Sequence, residues 1–275
     1  MRFCRDVFFA RNHQIIPMNP FVLSDETLNS ARRRVFTLDV DGNRYFVKKQ
    51  LAGQARYGPL VQRIAYTVTG NMLLVPTTFA DPGASLAYEK EKLERLLAAH
   101  IPVPKIVHSD PRYLVLEDVG AVMHKAVSQK PDRADEYLVR AVVALANLHQ
   151  AGFAHGGAQL KNFTLKDDKV YLIDFEERVE QYPIEEMQLR DVFVFLTYVG
   201  RLGVTVNYDD IITRYETVRG VLVRERLAKS MRPLRWITIL NAPVFDRFQL
   251  HDMKAFAALV DHLKAVESGR CCGNR

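Results

Sequence analysis

The chain has no glycine before Gly42. A glycine-rich loop able to wrap phosphates with main-chain N–H groups is therefore absent from its N-terminal part. Cysteine is scarce: Cys4 stands near one end and the adjacent Cys271 and Cys272 at the other. That spacing gives neither a disulfide framework nor a Cys-x-x-Cys zinc knuckle, and it suits a reducing compartment. No apolar run approaches the roughly 20 residues that cross a bilayer, and the start, MRFCRDVFFARNHQIIP, is too short in apolar residues for a secretory signal. A soluble, cytoplasmic protein is expected. Internal repeats and low-complexity segments are also lacking. What the chain does have is 275 residues, 48% of them hydrophobic, enough for one sizeable core or two small lobes. A net charge of +6 favours anionic partners. Nucleotides, acidic lipids, phosphorylated sugars and nucleic acids all qualify, but no nucleic-acid-binding motif is visible and no nucleic-acid partner is expected.

The stretch from Leu148 to Glu177, LHQAGFAHGGAQLKNFTLKDDKVYLIDFEE, is the most informative. Val142 to Leu148 reads as an apolar helix closing at Gly152, and His155 to Asn162 as a loop. Phe163 to Leu165 and Val170 to Ile173 read as short strands joined by the polar turn Lys166 to Lys169. Such a hairpin returns the Asn162 amide and the Asp174 carboxylate to one end. Both are hard oxygen ligands of the kind Mg2+ takes alongside nucleotide phosphates. The order and spacing resemble H-x-D-x-x-x-x-N, a strand, then D-F-G, the catalytic segment of the protein-kinase-like fold. Two residues after His155, where kinases place the Asp that receives the acceptor proton, stands Gly157, and two further on the neutral Gln159.

Upstream, Arg34 to Val40 and Arg44 to Lys49 flank Asp41-Gly42-Asn43, a strong hairpin signal. Alternation sends Lys48 and Lys49 to opposite faces. Lys48 is the choice for the cleft, by resemblance to the strand lysine that pairs with nucleotide phosphates. Leu51 to Ser85 is a mixed insertion, with turns at Arg56 to Pro59 and Asp81 to Gly83 and a short helix expected at Leu60 to Thr67. Leu86 to Ala99 reads as an amphipathic helix with Leu86, Leu93, Leu96 and Leu97 on one side. The resemblance makes Glu89 the partner of Lys48, although Glu91 and Glu94 share the helix. Tyr113 to Leu116 reads as the last strand of a small lobe. Glu117 to Gly120 follows as a hinge whose backbone, around Glu117 and Val119, would meet an adenine edge.

Gln188 to Asp191 opens an apolar helix, so Asp191 is either the buried Asp that holds the catalytic loop or a helix N-cap. His155 is read as a loop anchor of the catalytic segment. Tyr208 to Val266 should be helical, and Arg214, Arg219, Arg224, Arg226, Lys229, Arg232 and Arg235 offer a basic face that is either solvated or set against an anionic membrane.

V-D-G-N-R-Y-F-V-K, A-H-I-P-V-P, L-H-Q-A-G-F-A-H-G and I-D-F-E-E, spread over about Arg34 to Leu196, resemble the bacterial lipopolysaccharide core (Kdo and heptose) kinases. The resemblance implies an α+β, protein-kinase-like two-lobed fold in a single domain. Its β-rich N-lobe with one helix would span 1–116 and its larger helical C-lobe 117–275. It implies ATP and Mg2+ as cofactors, with His155, Asn162 and Asp174 in the catalytic segment and Asn162 and Asp174 on the metal. Lys48, Glu89, Glu117 and Val119 would hold the nucleotide. The implied reaction phosphorylates a hydroxyl of a sugar or glycolipid, such as lipopolysaccharide core, at the inner membrane, or a protein hydroxyl. Gly157 leaves a second reading open, a pseudokinase that binds nucleotide or a protein partner without chemistry.

Overall fold

The computed structural model describes residues 19–50, 66–67, 69–76, 84–234 and 257–263. The three cysteines, the turns at 56–59 and 81–83, residues 60–65 of the expected short helix and Arg235 lie outside these. A small sheet leads and helices follow, as expected of an α+β kinase-like fold. Strands β1 (Val35–Val40), β2 (Asn43–Lys49), β3 (Ile106–Asp110) and β4 (Tyr113–Glu117) form an antiparallel sheet in the order β1-β2-β4-β3. Asp41 and Gly42 both take positive φ, 50° and 78°, and Val40 pairs with Asn43 across them. This is a two-residue turn whose twist matches the strands, so Asn43 belongs to β2 rather than to the turn.

Helix α1 (Asp25–Ser30) precedes the sheet and α2 (Ser85–Ala98) packs on it. The α2 face turned inward carries Leu86, Leu93 and Leu96 as expected, but also Glu89 and Lys92, while Leu97 is only half-buried. Two charged residues on a buried face must find partners: Glu89 meets Lys48 in the cleft and Lys92 meets Glu180.

Past β4 the chain forms a second, three-stranded sheet from β5 (Ala121–Val122), β6 (Phe163–Lys166) and β7 (Lys169–Leu172). Gly120 makes this crossing feasible. Its φ is +90°, and a Cβ there would sit 2.2 Å from the main-chain oxygen of Leu165. Helices α3 (Met123–Gln129), α4 (Ala134–Gln150), α5 (Ile184–Val199), α6 (Tyr208–Arg219) and α7 (Arg224–Met231) build the larger half, with a further helical stretch at 257–263. The expected Val142–Leu148 helix is the C-terminal part of α4. Helix α5 begins at Ile184, so Asp191 lies in its middle and is not an N-cap. Its helix start was hidden because Glu185 and Glu186 mask the apolar period. No helix among the described residues is long and apolar enough to cross a membrane.

Candidate active site

Between the sheet and the helical half lies a cavity of about 460 Å³. Val35, Phe46, Leu116, Val122 and Ile173 give it apolar walls, and Lys48, Asn162 and Asp174 stand at its polar end. An apolar slot with a few convergent polar groups is the usual form of a small-molecule site. Lys48 Nζ lies 2.7 Å from Glu89 Oε1 and 2.8 Å from Asp174 Oδ1. Lys49 points the other way and donates to the carbonyls of Leu28 and Ala31, at 2.8 and 2.6 Å, at the C-terminal end of α1, where a cation is favoured.

A further carboxylate, unforeseen from the sequence, completes the cluster. Glu176 Oε1 lies 2.5 Å from Lys48 Nζ and 2.6 Å from Arg34 Nη1, ion pairs whose angles fall outside hydrogen-bond geometry. Its placement two residues after Asp174, where alternation would return a side chain to the same side, was the available signal. Burial opposes the charge on Lys48, but Glu89, Asp174 and Glu176 outweigh it and raise the pKa of the ammonium. Burial likewise opposes the charge on Asp174, yet Lys48 holds its pKa below the ordinary value. Glu89 goes the other way: its full burial raises its pKa in spite of Lys48, and its second oxygen has no hydrogen-bond partner.

The donor set suits a hard divalent cation. Glu89, Asp174 and Glu176 each bring an oxygen within 4.8 Å of the others, and the Asp174 side chain remains 46% exposed. Asn162 Nδ2 donates to Gly157 O at 2.8 Å, so the amide oxygen is the atom suited to ligation.

Below the cleft, Asp191 accepts hydrogen bonds from the main-chain N–H groups of His155, 2.6 Å, and Gly156, 2.9 Å. His149 Nε2 is 3.2 Å away. Asp191 therefore ties α5 to the loop. His155 is fully buried, stacked on Phe175 at 4.4 Å and near Phe163, and neither ring nitrogen has a hydrogen-bond partner. It lies among the aromatic rings under the loop and is not among the residues lining the cavity. Burial pushes its pKa down to about 4. Between that value and the 6.5 of an unfolded histidine, the unfolded chain binds the extra proton, so stability falls as pH is lowered from 7 to 4. The expected loss is about 3 kcal/mol. Urea midpoints against pH should show it, and His155→Phe should flatten that slope.

Helix α2 is also fastened to the chain beyond Asp174. The Tyr88 hydroxyl lies within hydrogen-bond reach of Glu177 O, 3.0 Å, and Glu180 Oε2, 2.7 Å, and Lys92 Nζ reaches Glu180 at 3.3 Å. Tyr88 and Lys92, one turn apart, thus fasten the helix that carries Glu89 to this segment.

Residues 84–211 match the RIO domain family. That family is of the atypical protein-kinase-like kind, and its usual activities are ATP binding and phosphate transfer. An uncharacterised protein of Haemophilus influenzae is 29% identical over 123 residues. The shared stretch is 44% of this chain and 51% of the relative, so the chain spans about half the length of the curated relative it matches. The matched RIO segment contains Glu89, the 117–120 connection, His155, Asn162, Asp174 and Asp191, while Lys48 lies before it. Among the basic residues of the C-terminal part, Arg214 reaches Asp210, Arg219 reaches Gln188, Arg224 reaches Asp209 and Arg226 reaches Glu186, at 2.5 to 3.3 Å. Those four charges are engaged within the chain, which weakens the expected anionic-membrane face.

Proposed function

We propose that the protein is an ATP-dependent phosphotransferase that moves the γ-phosphoryl group to a hydroxyl. The observation that carries this is the Lys48–Glu89 pair facing Asp174 and Asn162 at the polar end of an apolar cavity. Positioning and electrostatics supply most of the rate in phosphoryl transfer, and these residues are of the kinds that provide both. In this reading the base lies between the apolar walls. In the 117–120 connection, Glu117 N–H is used by Lys105 O, Asp118 O by Lys166 Nζ and Val119 O by Thr164 Oγ1. In this reading the Val119 N–H, whose own carbonyl is taken by Thr164, is offered to an adenine edge. Lys48 would hold phosphate oxygens, and Asp174 with Asn162 would hold Mg2+, which when bound would supply neutralisation of phosphate charge.

The acceptor in this proposal is a hydroxyl of a sugar or glycolipid, such as lipopolysaccharide core, or of a protein. Support for the glycolipid is the resemblance of the motifs; support for the protein is the RIO match. Gly157 favours a second reading, a pseudokinase that binds nucleotide and regulates a partner. Calorimetric titration with ATP, with and without Mg2+, tests the nucleotide site. Metal-dependent binding is expected, because three carboxylates against Lys48 and Arg34 repel a bare triphosphate. No binding in either condition would sink the proposal. Labelled phosphate appearing on core sugars or on protein then selects the acceptor.

A further inference from the structure

We infer that Glu177 supplies the carboxylate that the loop lacks at Gly157, and receives the proton of the attacking hydroxyl; the inference rests on the phosphotransferase reading. A Cβ built on Gly157 would lie 2.9 Å from Glu177 Oε1, 3.5 Å from its Cδ and 3.6 Å from Asn162 Nδ2. The Glu177 carboxyl group therefore fills the space into which a side chain at 157 would grow, and it does so beside the Asn162 amide. It arrives there from the segment after Asp174 instead of from the loop.

The neighbouring glycine makes the arrangement possible. Gly156 has φ +93°, and a Cβ there would meet Glu177 Cβ at 2.6 Å and Val179 Cγ1 at 3.0 Å. Two successive glycines thus clear a path for one glutamate. A carboxylate at 157 and one at 177 would compete for a single place, and two like charges at such range disfavour each other. His-Gly-Gly and Asp-Phe-Glu-Glu are complementary halves of one site. Glu177 is also held in position. Its Oε2 lies 3.3 Å from Arg190 Nη1, which also donates to Gly156 O, and its main-chain oxygen accepts from Tyr88.

In the step, the hydroxyl oxygen bonds to the γ-phosphorus of ATP as the bond from that phosphorus to the β–γ bridging oxygen breaks. The electron pair leaves with ADP, and the hydroxyl proton passes to Glu177 Oε1 and then to water. A loose transition state places proton removal late, so the carboxylate first orients the hydroxyl and takes its proton as the new bond to phosphorus forms.

The test uses the full chain, with ADP release from MgATP, water serving as acceptor, and calorimetry on the same samples. Glu177→Gln should keep MgATP affinity within about threefold while turnover falls by about 10^2 to 10^4. Gly157→Asp alone should also lose turnover, through crowding. Combined with Glu177→Ala, Gly157→Asp should regain at least about tenfold over Glu177→Ala alone, because the carboxylate is relocated, a recovery that a purely structural role for Glu177 would not give. Wild-type turnover in Glu177→Gln, no regain in the double variant with affinity intact, or a wild type that binds MgATP without turning it over would each overturn this inference and leave the nucleotide site standing. Absence of MgATP binding by the wild type would overturn both.

Discussion

Asp174→Asn should abolish Mg2+-dependent ATP affinity and lower turnover by about 10^3-fold or more, with unfolding free energy changed by no more than about 1 kcal/mol. The separation of effects follows from where the side chain sits. Its φ is +70°, a region that Asn tolerates as Asp does, whereas Ala would add strain. Lys48 would keep Glu89 and Glu176, so the ammonium is not left buried and unpaired. What disappears is the carboxylate that is 46% exposed toward the cavity and able to exchange Lys48 for a metal ion. Calorimetry with and without Mg2+, beside a urea titration, reads the two quantities on one preparation. Metal-dependent binding surviving in Asp174→Asn would shift the ligand assignment to Glu176 and Glu89, and Glu176→Gln would then carry the loss.

Much of this site could be read before any coordinates because its parts are local patterns. Asp41-Gly42 sets a hairpin, alternation separates Lys48 from Lys49, and Asn162 and Asp174 bracket a second hairpin. These depend on turn chemistry and a period of two, which a sequence displays directly. Glu89 was harder, since Glu91 and Glu94 lie on the same helix, and only the order of the elements favoured it. Glu176 and Glu177 were quoted in the I-D-F-E-E motif but given no part, because their roles arise from long-range approach. Glu176 meets Arg34 across the cleft, and Glu177 enters space left by glycines twenty residues earlier. The absence of a side chain at 157 signalled a missing carboxylate, but nothing in the linear pattern said what filled the volume.

Asp191→Ala is expected to cost about 3–5 kcal/mol, a large part of a domain's stability. The carboxylate is fully buried, and burial alone would raise its pKa, but hydrogen bonding and charge from His149 hold it below the ordinary value. Removing it strands the His155 and Gly156 N–H groups and the His149 ring nitrogen at once. Asp191→Asn should cost less, because one carbonyl oxygen can still take a main-chain donor. Denaturant midpoints order the three proteins. A cost of under about 1 kcal/mol for the alanine variant would mean that the loop holds its shape without α5. Function should follow unequally. Lys48 and Glu89 belong to the sheet and α2, away from the lost anchor, so MgATP affinity should largely persist at low temperature where the variant is folded. Gly156 and Gly157 would shift relative to Glu177, and turnover should fall further than affinity.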